Sequence, residues 1–410
     1  VVGGGIAGLT AARALSQQGC PVHLLEKSDQ LGGIARRLNT TYRNERIDRY
    51  LSSLIDQVEA DPRIQLHLQA SIASADGFVG NFKTAISNGT SRETVEHGVT
   101  IMAIGAQESK PREYRYGEHA AVLTHLEMDE RLRTDDPRVR NAENVVFIQC
   151  VGSRDQARPY CSKVCCTHSI KSALDLKKHN PDTNVYIIYR DIRTYGTRED
   201  LYREARQQGI LFFRYDPDNK PQVSDHGQQV TVDFYDSILG RAVSVDADVL
   251  CLATAIVHQD DLSISQLYKV PVDSDGWLLE AHQKLRPVEF ATEGVFLCGM
   301  GHYPKPIEES IAQAQAAAAK ALTVLSRESI VVGGIVSHIV PELCSGCCGC
   351  IDVCPYGAIT YNTEQNIAVV NQALCKGCGA CAAACTSEAP LLMGFNNRQV
   401  YAQIQTAMSA

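Results

Sequence analysis

The first 26 residues, VVGGGIAGLTAARALSQQGCPVHLLE, change their apolar pattern twice. A short apolar start runs into glycines, apolar residues then recur at helical spacing through Leu15, and a second apolar run ends on Glu26. This pattern predicts strand, tight turn, helix and strand, a βαβ unit. GVTIMAIGA (98–106) reads as an apolar strand running into Gly105. NVVFIQC (144–150), HSIKSALDLKKH (168–179), NVYIIYRD (184–191) and DADVLCLATA (246–255) predict a second strand, helix and strand with a return strand. EGVFLCGMGHYPKPIEESIAQAQAAAAKAL, from Glu293, is again strand, glycine loop and amphipathic helix. Within it Ala316 to Ala319 read as core packing. The expected fold class is α/β, with two Rossmann-like nucleotide-binding domains followed by a small α+β domain.

The first turn carries chemistry. Gly3, Gly5 and Gly8 form G-x-G-x-x-G. In such a turn the first glycine makes the bend, the second lets backbone approach a pyrophosphate, and the third lets helix and strand pack closely. The helix N-terminus then faces the phosphates. Glu26 stands where a carboxylate accepts hydrogen bonds from both ribose hydroxyls of an adenosine. The second predicted unit has the scaffold without this loop. Its strand leads into CVGSRDQARPYC, with one glycine, two arginines and a proline, so a pyrophosphate cannot come as close.

The 410 residues, 44% apolar and 21% charged, describe an ordinary globular protein with room for two or three domains. Thirty-nine basic against 47 acidic residues give a net charge of −8, which offers no basic footprint for nucleic acid and no cationic stripe for lipid. The longest apolar stretches, 316–325 and 330–340, are too short or too broken by Lys320, Gly333, Gly334 and His338 to span a bilayer. Val1 opens directly on a strand, with no charged or apolar leader, so the expected location is cytoplasmic. A chain without an initiator Met reads as processed or partial.

Sixteen cysteines are the compositional outlier, and twelve fall into three tight groups, which argues for metal in a reducing compartment. CSGCCGCIDVCP places Cys344, Cys347, Cys350 and Cys354 at C-x2-C-x2-C-x3-C-P. CKGCGACAAAC repeats the spacing with Cys375, Cys378, Cys381 and Cys385, Thr386 standing where proline often does. This is the two-cluster bacterial ferredoxin pattern, in which the fourth cysteine of each run ligates the other cluster. One 4Fe-4S site is therefore expected from Cys344, Cys347, Cys350 and Cys385, the other from Cys375, Cys378, Cys381 and Cys354. Cys348 is out of register, and Cys20, Cys251 and Cys298 read as small buried apolar residues. In the middle of the chain, Cys150, Cys161, Cys165 and Cys166 occupy the degenerate turn. Four thiolates suit a third 4Fe-4S cluster, while zinc, a redox-active disulfide and buried free thiols stay open on spacing alone.

Two resemblances sharpen this. KSDQLGGIARR after Glu26, the strand into Gly105 and the segment from Glu293 resemble flavoproteins of the glutathione and thioredoxin reductase type. That likeness implies FAD, with contacts from Gly3, Gly5, Ile6, Ala7, Gly8, Glu26, Lys27, Gly32, Gly33, Ile34, Arg36 and Ile72. It adds Ala103, Ile104, Gly105, Gly299, Met300, Lys305, Pro306, Ile307 and Ser310. It also implies an FAD domain of residues 1–142 and 249–328, an inserted degenerate NAD(P)H-type domain at 143–248, the ferredoxin domain at 329–395 and a tail at 396–410.

The glycine loop, QCVGSRD with YCSKVCC, YRDIRTYG (189–196), PKPIEESIAQA and the double ferredoxin together resemble HdrA, the flavin and iron–sulfur subunit of heterodisulfide reductase. The resemblance implies a non-standard 4Fe-4S cluster at the four central cysteines beside FAD, and so three clusters in all. It also implies a lysine near flavin N5, matched by Lys171. It implies an oxidoreductase component that passes electrons between flavin and clusters, with flavin-based bifurcation as one mode. Its partners would be cluster-bearing donor and acceptor subunits and soluble ferredoxin, in a complex that can be homodimeric. The family often has an N-terminal cluster domain and earlier cysteines, whereas only Cys20 precedes Cys150 here. The alternative from another class is a self-contained NAD(P)H-dependent flavin reductase with a fused ferredoxin.

Overall fold

Val2 is a single residue ahead of the glycines, yet in the computed structural model it bridges in parallel to both Leu25 and Met102. The N-terminal segment thus lies in the middle of a parallel sheet. On one side Val22–Leu25 pairs with Ile64–His67, and on the other Thr100–Met102 pairs with Val295–Leu297. Helix Ile6–Gln17 packs on this sheet through Leu9, Ala11, Ala12 and Leu15. The structure describes residues 1–89, 91–259, 263–330 and 334–409. Residues 331–333 of the apolar stretch at 330–340 lie outside them. Among the described residues no helix is long and apolar enough to cross a membrane.

The chain forms two units. The first comprises Val1–Ser74, Thr84–Val95 and Thr100–Leu322. Besides the sheet around Val2 it holds a second parallel sheet in the order Leu211–Arg214, Asn184–Tyr189, Asn144–Val151, Val249–Thr254, Val122–Thr124. Alternation along the central strand decides what covers each face. Val145 and Phe147 pack with Ile170, Ala173 and Leu176 of helix Cys165–His179. Val146 and Ile148 pack with Val230, Val232 and Phe234. These last belong to an antiparallel sheet of Gln222–His226, Gln229–Asp236 and Arg241–Ala247, which takes the place that a fourth crossover helix would fill.

Two expected domain edges move. Val122–Thr124, assigned to the first domain by a boundary at 142/143, pairs with 250–252 in the second sheet. Val249–Thr254, assigned to the first domain by a boundary at 248/249, pairs with 145–151 in the same sheet. For Val122–Thr124 the physical reason is length, since a three-residue apolar strand carries no periodicity of its own; the boundary at 248/249 cut through the return strand already expected at 246–255. Cys251 is fully buried in this sheet, Cys298 is fully buried after Val295–Leu297, and Cys20 is half-buried.

The second unit comprises Ala75–Lys83, Glu96–Val99 and Thr323–Ala410. Ser337–Ile339 pairs antiparallel with Pro390–Leu392, and Ile359–Asn362 with Ile367–Val370. Its core joins Ile339, Ile359, Ala368 and Ala389 with Cys350 and Cys381. Two short helices, Gly349–Asp352 and Ala380–Ala384, each start after a left-handed residue, Cys348 (φ 63°) and Gly379 (φ 77°). A side chain at the first of these carries strain that the second avoids. The residues after 395 form a helix, Asn397–Ser409, with none of its side chains buried.

Gly8 shows how tightly the first turn is built. A Cβ there would stand 1.8 Å from the Gly3 carbonyl oxygen. Gly8→Ala should therefore destabilise the protein by at least ~3 kcal/mol, seen as a lower urea midpoint or loss of soluble protein. A wild-type midpoint would contradict this packing.

Candidate functional site

A cleft of about 490 Å³ runs through the first unit, within the roughly 300–1,000 Å³ usual for small-molecule sites. Gly3, Gly5, Ile6 and Ala7 form one end of its wall, followed by Glu26, Lys27, Gly32, Gly33 and Ile34. Ala103, Ile104 and Gly105 follow, and then Gly299, Met300, Lys305, Pro306, Ile307 and Ser310. Gly5 caps helix Ile6–Gln17, so the free amides of the first helical turn open on the cleft. No heavy atom lies within 4 Å of where a Gly5 Cβ would stand. An open backbone cradle at a helix N-terminus fits a dinucleotide pyrophosphate.

Three expected contacts do not line the cleft. Gly8 lies beneath Gly3. Arg36 turns its Nε–H to the Leu31 carbonyl. Ile72 packs beside Leu25, Ala70, Ile86 and Val95. Glu26 reaches the cleft with a further task. Its carboxylate accepts from the Gly4 amide at 2.7 Å, the Ser28 amide at 2.8 Å and the Ser28 hydroxyl at 2.9 Å. Of about four acceptor positions on a carboxylate, three are already taken, one by the glycine loop and two by Ser28.

The other wall comes from the second sheet's helices and loops, by routes that the chain pattern does not reveal. His125 and Asp129 come from helix His125–Arg133, and Tyr195 and Arg198 from the turn after the strand 184–189. His168 bonds to Asp129 at 2.8 Å and stacks on His125 at 4.5 Å. Burial, followed by the neighbouring His168, holds His125 well below the usual imidazole range, and so neutral. Lys171 also lines the cleft, only 6% exposed, and is paired with Asp175 one turn on.

Charge closes the cleft near helix Ile307–Leu325. Glu309 accepts from Lys163 and from the Tyr195 hydroxyl, each at 2.5 Å, and Glu308 pairs with Arg198. Arg198 lies 4.3 Å from the Tyr195 ring and 4.7 Å from that of Tyr42. Both carboxylates sit in the first helical turn, where the helix dipole favours negative charge. Lys305 is 3% exposed and donates to the Gly299 carbonyl at 2.6 Å and Gln313 Oε1 at 2.8 Å.

The degenerate turn joins this wall. Cys150 is the penultimate residue of its strand, with φ 62°, Cys161 lies in the loop, and Cys165 and Cys166 open helix Cys165–His179. Cys165 lines the cleft. Burial first, and then Cys166, Cys150 and Cys161, push the Cys165 thiol well above its ordinary value. Burial also pushes Cys166 up to about 11. Thiols held this way would give up their protons to solvent on ligating a cation or cluster. The Lys163 amide donates to Cys161 Sγ at 3.3 Å, and Arg154 reaches Cys150 Sγ at 3.9 Å. Arg158 donates to the Gly152 carbonyl at 3.3 Å, so its guanidinium lies over the turn that a pyrophosphate would approach.

In the second unit a cavity of about 20 Å³ is lined by Cys354, Cys375, Cys378 and Cys381. Backbone amides of Ser337 and Ala358 donate to Cys375 and Cys354, both at 3.3 Å. Cys350 has Cys344, Cys381 and Cys385 as charge neighbours, and Cys347 has Cys385. The Ala368 amide donates to Cys344 at 3.5 Å. Among the described residues no three His, Cys, Asp or Glu side chains converge on a point suited to a single metal ion. Four thiolates around an iron–sulfur cube stand farther apart than ligands of one ion, and four grouped cysteines fit such a cube.

Known proteins place these features in context. Residues 1–66 match the NAD(P)-binding Rossmann-like domain family, and residues 337–386 the 4Fe-4S dicluster domain family. Among solved structures, the thioredoxin reductase of T. acidophilum superposes with a TM-score of 0.55 over 80% of this chain and 97% of its own, at 14% identity. That of Lactococcus lactis gives 0.55 over 79% and 97%, at 17% identity. The first unit therefore has a thioredoxin-reductase-like fold, joined in one chain to a domain of the 4Fe-4S dicluster class.

Curated relatives narrow it further. The A-type iron-sulfur subunit of a CoB–CoM heterodisulfide reductase of Methanopyrus kandleri is 32% identical, the match covering 88% of this chain and 69% of the relative. The A-type subunit of the H2:CoB-CoM heterodisulfide,ferredoxin reductase of Methanothermobacter marburgensis is 30% identical over 100% of this chain and 76% of its own. The chain belongs to the HdrA family, that of the A-type subunits of heterodisulfide reductase.

Gly5→Ala separates folding from binding. Open space around the new methyl should leave stability within ~0.5 kcal/mol. FAD affinity of the deflavinated protein, measured by calorimetric titration, should fall roughly tenfold or more. Unchanged affinity would place the dinucleotide elsewhere.

Proposed function

We propose that this chain is the FAD and iron–sulfur subunit of a heterodisulfide-reductase-like complex. FAD would lie in the cleft, one 4Fe-4S cluster on Cys150, Cys161, Cys165 and Cys166, and two in the ferredoxin-type unit, three clusters in all. One observation carries the reading: Cys165 lines the same cleft as Gly3, Gly5 and Gly299, so the proposed cluster ligand and the proposed flavin contacts face one cleft. Bound there, the flavin would exchange electrons in pairs or singly and the clusters one at a time, which permits flavin-based bifurcation.

The chain's residues have separable tasks in this scheme. The Gly3 to Gly8 turn and the helix after it bind the pyrophosphate. Lys171, held by Asp175, offers a positive N–H donor that favours the reduced, anionic flavin. The Lys163 amide and Arg154 bond the sulfurs of Cys161 and Cys150, and such bonds tune a cluster's potential. Cluster-bearing subunits and soluble ferredoxin are the partners, in a complex that can be homodimeric and in a cytoplasmic, reducing setting.

Iron and flavin analysis of purified protein should give about twelve irons and one FAD. Cys165→Ser should lose about four irons and slow flavin reduction by dithionite-reduced partner clusters at least ~100-fold, leaving the ferredoxin-type electron paramagnetic resonance signals intact. An unchanged iron count with unchanged flavin reduction would sink the reading.

A further inference from the structure

We propose that Lys305 takes up a proton when the flavin is reduced, and that Gln313, His302 and Glu280 form a hydrogen-bonded arm that holds it for this task. The inference rests on the flavin reading of the cleft. Its need arises from the electron source. A hydride carries a hydrogen with its electron pair, whereas iron–sulfur clusters deliver bare electrons. Two electrons from the clusters and one proton take FAD to its anionic reduced form, with a new N5–H bond. The negative charge left on the ring favours a second proton nearby, and Lys305 would receive it, changing from Nζ amine to ammonium. Both protons come from solvent.

The arm has one polarity. His302 Nε2 donates to Glu280 at 2.8 Å, which leaves His302 Nδ1 to accept from Gln313 Nε2 at 2.8 Å. Gln313 Oε1 then accepts from Lys305 at 2.8 Å and from the Gly299 amide at 3.0 Å. Every donor thus points toward the carboxylate, and an oxygen is presented to the lysine. Among the described residues Lys305 donates to two acceptors, Gly299 and Gln313, so the amine's lone pair, or the third N–H of the ammonium, remains for a ligand in the cleft that it lines. A buried lysine without a charged contact of its own is costly, which makes a structural role alone a poor reason to keep it.

The groups around Lys305 set where it titrates. Burial comes first and lowers its pKa to about 7, Lys163 acts in the same direction, and Cys298, Glu309 and Glu280 oppose them. Lys163 and Glu309 are paired with each other and largely cancel. Burial pushes the Cys298 thiol up to about 12, so it is neutral. Burial and then Lys305 hold His302 below the usual imidazole range against the pull of Glu280, consistent with a neutral ring that accepts at Nδ1. The Tyr303 ring lies 4.0 Å from Nζ. Glu280, through the arm, favours the ammonium form and among the described residues has no such cancelling cation. In the oxidised state Lys305 is therefore poised near neutrality, and a new negative charge in the cleft tips it to the cation.

The test is spectroelectrochemical titration of the flavin in the holoprotein from pH 6 to 9. Below about pH 7 the lysine is already charged, so reduction takes up one proton and the equilibrium shifts tenfold per pH unit. Above it, reduction takes up a second proton and the shift steepens toward a hundredfold per unit. Lys305→Arg keeps a charge that does not titrate and should give tenfold throughout, as should Lys305→Met. Glu280→Gln should move the break to lower pH. A tenfold dependence across the whole range in wild type overturns the inference, as does a steep upper limb in Lys305→Arg. If Lys305→Met loses its flavin, the wild-type and Lys305→Arg profiles still decide. A protein that binds no FAD would fail the underlying reading as well, whereas one that binds FAD with a uniform tenfold slope fails this inference alone.

Discussion

Two adjacent carboxylates at the start of one helix decide what the cleft can be. Glu308 and Glu309 take Arg198, Lys163 and Tyr195 as partners, and so draw the loop that carries Cys161 and Cys165 against the segment that carries Gly299 and Lys305. At 36% and 30% exposure these carboxylates make pairs worth little as stability. Their weight is geometric. Without them the cysteine loop and the proposed flavin contacts would be features of two separate sheets. With them, one cleft serves both.

That constraint gives meaning to the altered turn of the second sheet. A nicotinamide-binding domain needs a bare backbone where the pyrophosphate passes. Here Arg158 covers Gly152 and the Arg154 carbonyl is taken by Arg190 at 2.7 Å. The parallel sheet and its helix persist because Val145, Phe147 and Ile170 still bury each other. The scaffold of such a domain is present, while its mouth gathers four thiols, those of Cys165 and Cys166 buried, in place of an anion-binding loop. With a cluster on those thiols, a port for hydride has become a port for single electrons, and protons then have to be managed by the protein.

Local spacing carried the parts of this that were legible in the sequence. The glycines at 3, 5 and 8 and the eight ferredoxin-type cysteines declare themselves within a few residues, because a turn or a cluster loop imposes its spacing on the chain. Residues that reach the cleft through tertiary packing left no such trace: His125, Asp129, Tyr195 and Arg198 are placed by helices and turns of the second sheet. Ile72 and Arg36 failed in the opposite direction, since Ile72 joined a small core and Arg36 turned back on Leu31. Val122–Thr124 was too short to declare its sheet. The antiparallel strands of 222–247 occupy a place where the βαβ pattern leads one to expect a helix.

In the proposed function, electrons enter at the cysteine-lined turn and not from a nicotinamide. Its most direct test is oxidation of NADH and NADPH by the flavin-loaded, cluster-loaded protein with an artificial dye as acceptor. No turnover above the dye's background rate is expected with either nucleotide, together with rapid dye reduction when the electrons are supplied by a reduced iron–sulfur protein. Fast, saturable oxidation of NADH or NADPH would contradict it.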